Sequence, residues 1–337
     1  MALRKARGVV ASSAEVEAAA EELLAKGNAV DAVVAGVFAA CAASPGVLLG
    51  PVQILIGGAG AGLLAIDGRV RQPGIGAPRP RGFVSDEEVP DAARIGVPWL
   101  PAALSVAIAT AGTATFGAVL GPAIEASKGS PRKDILSRIA SRGPRAIEER
   151  PLGQELVVVA GRPAGGLLTS DDLSSPRPVV QKATSFPIDS QRIIVVPWAN
   201  HDATGPTPPA SPVDVARARA VIAVDRNATF AIACWDEATD GLNVAELGLR
   251  APFFAEPVRR GQTRARPGDP RPAAAPIALL AAEAPRMALA AFGAGDAYDV
   301  IRGALASVVK DDRIEAHGDS RLVALSHANA TASAFRS

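Results

Sequence analysis

The spacing of apolar positions changes several times along the chain, and each change predicts an element. Residues 8–12 form a short apolar run of β character. Across residues 13–26, Ala and Glu recur at helical spacing, with Ser13 placed to cap the start and Gly27 the end. A second helix is predicted over residues 28–41; it is apolar nearly all round and therefore buried. Two β-like runs follow, 53–56 and 63–66, with a glycine cluster between them, and Asp67-Gly68 reads as a hairpin turn. Residues 100–112, 117–128 and 132–141 read as helices, 156–159 as a short strand, and 168–173 as a capped turn entering a short helix. The segment 197–214 contains five prolines and reads as an irregular linker. Beyond it, 219–224 and 229–235 are strands around the turn 225–228. Residues 277–280 and 287–291 form a further hairpin, 298–309 a helix and 322–326 a last strand. Strand-rich blocks separated by helices, with no internal repeat, predict one layered α/β sandwich.

Composition narrows the core and the partners. Hydrophobic residues make up 48% of the 337 residues and aromatic ones only 4%, so the core is built from Ala, Val, Leu and Ile. The 32 glycines and 28 prolines are dispersed through the chain. With 35 basic and 34 acidic residues the net charge is +1, which gives no global field to attract nucleic acid or anionic lipid. The arginines at 259, 260, 264 and 266 form a local basic patch, read first as a solvated loop. Cys41 and Cys234 sit in apolar runs as two buried thiols. The three histidines, His201, His317 and His327, lie far apart and lack metal-ligand spacing. No metal or cofactor is expected. The apolar stretch 33–64 is broken by Pro45, Pro51 and several glycines, so no membrane span is expected. Residues 1–8 lack the apolar core of a secretory signal, which makes a cytoplasmic protein the expectation.

Several segments, in one order, resemble the γ-glutamyltranspeptidase family of the Ntn-hydrolase class. They are Gly8-Val9-Val10-Ala11-Ser12, then Gly27-Asn28-Ala29-Val30-Asp31-Ala32, the cluster Gly57-Gly58-Ala59-Gly60-Ala61-Gly62, Ile95-Gly96-Val97-Pro98, and Leu168 to Leu173 with Val179-Val180 after it. The resemblance is strong over residues 1–180 and weaker over 213–305. It implies an αββα four-layer sandwich with a large-subunit-like half (1–180) and a small-subunit-like half (215–337). Read from the residues alone, Asn28 is a helix N-cap and Asp31 an anion in the first turn, a structural pattern more than a catalytic one. The glycine cluster permits close backbone approach, for a ligand or for a tight corner. It lacks the helix and distal acid of a dinucleotide site.

The same resemblance implies an N-terminal threonine nucleophile, exposed by self-cleavage at the head of a strand. The register set by Asp225 puts Ala218 there, and residues 216–224 contain no Ser, Thr or Cys. Ser211, Thr207 and Thr204 lie upstream among the prolines, where a large rearrangement would be needed to use them. The family's paired serines correspond to Pro272 and Ala273, and its carboxylate-binding arginine falls near Gly76, with Arg79 the nearest substitute. The oxyanion glycines are kept in part as Gly293 and Gly295, followed by Asp296, whose burial there would repel a developing negative charge.

Three functions remain open at this point. The first is a non-catalytic γ-glutamyltranspeptidase-like protein binding a small amino-acid-like ligand or a partner, with Gly57, Gly58, Gly60, Arg79, Gly293 and Gly295 as candidate binding residues. The second is repurposed chemistry in the same cavity, with Asp236, Glu237, Asp240 and His201 as candidates. The third is a homo- or hetero-oligomer subunit that needs a paralogous chain.

Overall fold

The computed structural model describes residues 7–58, 60–78, 81–174, 178–328 and 331–337. In chain order the elements are β1 (Gly8–Ala11), α1 (Ala14–Lys26), α2 (Ala29–Ala43), β2 (Val52–Gly58), β3 (Gly62–Gly68), α3 (Leu100–Ala111), α4 (Phe116–Ala126), α5 (Arg132–Arg142), α6 (Leu152–Ala160) and α7 (Ser170–Leu173). Then come β4 (Val179–Lys182), β5 (Thr184–Ile188), β6 (Gln191–Val195), β7 (Asn200–Asp202), β8 (Gly205–Thr207), β9 (Ala218–Val224), β10 (Phe230–Asp236), β11 (Leu242–Val244) and β12 (Leu249–Ala251). The chain closes with β13 (Ile277–Ala281), β14 (Pro285–Phe292), α8 (Ala297–Asp311), β15 (Arg321–Ala328) and β16 (Thr331–Arg336).

Two six-stranded antiparallel sheets carry the molecule, in the orders β1-β9-β10-β2-β3-β4 and β16-β15-β14-β13-β6-β5. Alternation along each strand sends successive side chains to opposite faces, and the three cores follow that alternation. Ile222, Ile232, Leu55 and Cys234 of the first sheet meet Leu279, Ala288, Ala290 and Leu325 of the second. Their neighbours Val221, Ala223, Ala231 and Ile54 face the helices α1 to α6. On the far side of the second sheet, Leu280, Leu289 and Leu322 pack against Ile301, Ala304 and Leu305 of α8. The architecture is therefore helix, sheet, sheet, helix: four layers.

The segment 27–32 works as a helix start. The Asn28 side chain accepts from the backbone N–H of Val30 and Asp31, and Asp31 returns a bond to the N–H of Asn28 at 2.8 Å. Asp31, fully buried, also accepts from Thr113 N, Thr113 Oγ1 and Ala114 N, tying α2 to the segment after α3. Asp225 does the same for the β9–β10 turn. Its Oδ1 accepts from Asn227 and Thr229 N–H, while Oδ2 accepts from Ala29 N at 3.3 Å.

Four sequence expectations need correction. Asp67-Gly68 is no hairpin turn: β3 runs through Gly68, and the hairpin joins Gly58 to Gly62. The carboxylate of Asp67 is taken instead by Arg69 and Arg71. Residues 156–159 are helical, within α6, where Leu152, Leu156 and Ala160 recur every four residues and are buried while Val158 is exposed. The proline-rich segment contains the β7–β8 hairpin. Strands β4 to β6 and β16 were not expected, the last pairing with β15 at the edge of the second sheet. Among the described residues no helix is long and apolar enough to cross a membrane.

Replacing Asp31 with Ala strands several buried N–H donors at once. We expect Asp31→Ala to lower the unfolding free energy by about 3–5 kcal/mol, read from urea denaturation. A loss below about 1 kcal/mol would show that these donors find other partners.

Candidate functional site

The head of β9 is reached through a short 3₁₀ turn, Val215–Arg217, started by Asp214, whose Oδ1 accepts from Ala216 N at 3.1 Å. Every polar group of the Arg217–Ala218 peptide is paired. The N–H of Ala218 donates to the carbonyl of Val215, and the carbonyl of Arg217 accepts from Glu237 N at 2.9 Å. Arg219 Nη1 donates to the carbonyls of Ala216 and Ala218, both at 2.8 Å. Ala218 itself is 2% exposed and stands opposite Asp236 in the β9–β10 ladder.

Asp236 is the charged residue that this ladder brings into the site. Arg217 donates from Nε to Asp236 Oδ2 at 3.3 Å, and also pairs with Asp214 at 3.6 Å and with Asp240. One guanidinium thus serves three carboxylates, and Asp236 Oδ1 is buried without a partner. Burial therefore prevails over the pull of Arg217, and the Asp236 carboxyl is pushed up to about 6, with Asp214 and Asp240 adding to the rise. Of the other expected acids, Glu237 pairs with Arg219 at 2.8 Å, and Asp240 is more than half exposed. His201 lies apart from this group, on β7, stacked at 4.8 Å on the Phe186 ring of β5.

Two cavities adjoin this end of the sheets and share Ser211, Pro272 and Ala273 in their walls. One, of about 330 Å³, is lined by Asp214, Arg217, Asp236, Glu256 and Arg271. The other, of about 190 Å³, is lined by Gln53, Arg69, Trp198, Asn200, Thr207 and Tyr298. The irregular run 272–275 between them is held by its backbone. Gln53 Nε2 donates to the Ala274 carbonyl at 2.9 Å, Trp198 Nε1 donates to Gln53 Oε1 at 2.6 Å, and Ala275 N donates to the Tyr298 hydroxyl oxygen at 2.9 Å.

Arg69 gives the smaller cavity its charge. Its guanidinium grips Asp67 in a two-pronged bond, Nε to Oδ1 at 3.0 Å and Nη2 to Oδ2 at 2.9 Å, and lies over the Trp198 ring at 5.1 Å. Arg71, 4% exposed and set over the Trp99 ring at 3.9 Å, reaches the same carboxylate at 2.9 Å. Burial would raise the Asp67 carboxyl, but the hydrogen bonds and charge of Arg69, with the charge of Arg71, hold it below the ordinary range. Two guanidiniums on one ionised carboxylate leave a net positive charge beside the cavity.

The expected glycines are not gathered here. Gly57 pairs with Phe230, at the opposite end of β10 from the Asp236–Ala218 pair. Six residues of strand put the two about 20 Å apart. At Gly57 a Cβ would come within 2.7 Å of Leu279 Cδ1; at Gly58 (φ +154°) it would come within 2.5 Å of Thr229 Cα. Both positions therefore serve close packing, whereas Gly60 has open space. Gly293 and Gly295 are exposed after β14. Asp296 is half-exposed there; it accepts from the hydroxyl and N–H of Ser320 and from Asp319 N, which hold its carboxyl below the usual range. Arg79 lies outside the described residues. Ser211 lines both cavities.

Sequence reading missed Gln53, Arg69, Trp198, Glu256 and Arg271. One signal was available, a glutamine inside an otherwise apolar strand. Among the described residues no group of three or more His, Cys, Asp or Glu is placed to hold a metal ion.

The chain superposes over 98% of its length on 96% of a cephalosporin acylase from Bacillus halodurans, at a TM-score of 0.68 and 15% identity. It superposes over 99% of its length on 97% of LmbA2991HD, at 0.72 and 14%. Together with the two antiparallel sheets between helical layers, these matches decide the fold. The chain has the Ntn-hydrolase fold. A γ-glutamyltranspeptidase from Pseudomonas nitroreducens aligns over 57% of this chain and 71% of its own, at a TM-score of 0.49 and 21% identity. No family model and no curated protein matches the chain. Within the Ntn-hydrolase fold the cleft described above lies at the start of β9.

Because the folded chain holds a proton on Asp236 that the unfolded chain, with Asp near 3.9, has released, this group stabilises the fold most at low pH. That contribution is lost as pH rises through about 6. We expect the melting temperature to fall between roughly pH 4 and pH 6.5, with Asp236→Asn removing that part of the slope. An unchanged slope in the variant would place the titration elsewhere.

Proposed function

We propose that the chain binds a small zwitterionic, amino-acid-like ligand in the cleft at the head of β9 without forming an acyl-enzyme. The observation that carries this reading is Ala218, buried where the strand begins and joined to Arg217 by a fully hydrogen-bonded peptide. A methyl group cannot attack an acyl carbon, nor can it drive the self-cleavage that would release an amino-terminal nucleophile. The polar groups of the cleft favour a ligand with both charges. The net positive charge of Arg69 and Arg71 around Asp67 suits a carboxylate, and the surplus of acids around Arg217 suits an ammonium group.

Ser211 does not replace the missing threonine. It lines the cleft, yet among the described residues it has no hydrogen-bonded base, and a serine hydroxyl without one is a poor nucleophile. A second reading rests on Asp236. A carboxyl raised to about 6 beside a cavity is suited to moving a proton for a reaction other than acyl transfer.

Loss of the nucleophile of an acyl-transfer site lowers kcat by roughly a million-fold. We therefore expect no turnover of a chromogenic γ-glutamyl anilide above buffer, and a single species near 34 kDa by intact mass after storage. Ala218→Thr alone should not restore turnover, because Pro272 and Ala273 still offer the donor no hydroxyl. Stoichiometric fragments split between residues 205 and 220, or turnover abolished by Ser211→Ala, would overturn the reading.

A further inference from the structure

A third cavity, of about 540 Å³, opens between the loop after β3 and the turn between α6 and α7, outside the cleft just described. Its volume falls within the range usual for small-molecule sites. Both walls are fixed by the backbone. Asp172 accepts from Gly74 N at 2.9 Å and Ile75 N at 2.9 Å, and Thr169 Oγ1 donates to the Ile75 carbonyl at 2.9 Å. On the other side Phe83 exchanges bonds with the 258–260 segment, Phe83 N to Val258 O and Arg260 N to Phe83 O, both at 2.9 Å. Gly166 packs so closely that a Cβ would stand 2.0 Å from the Ala160 carbonyl oxygen. The cavity is therefore preformed.

Its chemistry is one-sided. Arg81 and Arg162 line it, both exposed and in no ion pair among the described residues, while Phe83, Leu167 and Leu168 supply apolar surface. Among the described residues no carboxylate lines the wall; Asp171 approaches Gly76 from beside it. The Phe83 bridge also brings the 259–266 segment alongside, where Arg259 pairs with Asp86 but the guanidiniums of Arg260, Arg264 and Arg266 are in no ion pair among the described residues. The patch first read as a solvated loop thus extends the positive field of this cavity.

We infer that this cavity is a second ligand site, for a small organic phosphate whose apolar body lies on Phe83 and Leu167 and whose phosphate meets Arg81 and Arg162. Two guanidiniums balance a dianion, and their planar forks bind its oxygens in pairs. The apolar wall favours a ring or chain over the bare ion.

The test is calorimetric titration of the full chain with phenyl phosphate, inorganic phosphate, benzoate and phenol. Phenyl phosphate should bind at least about tenfold tighter than each of the others, a difference of about 1.4 kcal/mol. The double variant Arg81→Ala, Arg162→Ala should lose at least about tenfold in that affinity, with its melting temperature unchanged because neither side chain is paired. Absence of phenyl phosphate binding, equal binding of benzoate, or full affinity in the double variant would overturn the assignment. So would an oligonucleotide that displaces phenyl phosphate and depends on Arg260 and Arg264 instead, since the basic rim would then serve a polymer.

Discussion

The register of β9 on β10 is the constraint from which the rest of the cleft follows. Pairing Ala218 with Asp236 brings Glu237 N onto the Arg217 carbonyl and sets the Arg217 side chain among three acids. The same ladder puts Phe230 opposite Gly57, which carries the glycine hairpin to the far end of the sheet. A one-residue slip would turn Ile222, Ile232 and Cys234 from the inter-sheet core toward the helices, and Val221, Ala223 and Ala231 the other way. With both faces buried, neither core tolerates that exchange, so the position of Ala218 is held by packing on two sides.

Charge is distributed unevenly along the cleft, and the unevenness comes from shared partners. At one end two guanidiniums share Asp67; at the other, three carboxylates share Arg217. Asp67 thereby has more counter-charge than a simple pair would give it, and each acid around Arg217 has less. This is why Asp67 stays readily ionised while Asp236 holds its proton up to about pH 6. The stacking of Arg69 on Trp198 and of Arg71 on Trp99 adds cation–π attraction that offsets part of the cost of burying two cations together.

Helices and their caps were legible in the sequence because local chemistry decides them: Ser13, Asn28 and Thr169 cap where their side chains predict. The central hairpin β9–β10 was equally legible, as two apolar runs around a turn. The edge strands were not. All four residues of β4 are exposed, so its sequence carries no period-two signal, and α6 presents a run of four apolar residues, Leu156 to Val159, whose helical spacing appears only with Leu152 and Ala160. The head of β9 was located correctly from Asp225, but the cleft around it was not. Gln53, Trp198 and Tyr298 meet the run 272–275 across long sequence separations, which no local pattern encodes. The glycine cluster misled for the opposite reason. Its composition suits ligand approach and backbone packing alike, and at Gly57 and Gly58 the distances to Leu279 and Thr229 decide for packing.

We propose that this Ntn-hydrolase fold holds a cleft without an acyl-transfer nucleophile. It is tested most directly by incubating the full chain with an electrophilic glutamine analogue and mapping the modified peptides by mass spectrometry. No adduct is expected on any residue of the cleft, because Ala218 has nothing to attack with and Ser211 has no hydrogen-bonded base among the described residues. A stoichiometric adduct on Ser211 or Thr207, blocked by excess glutamate, would contradict it.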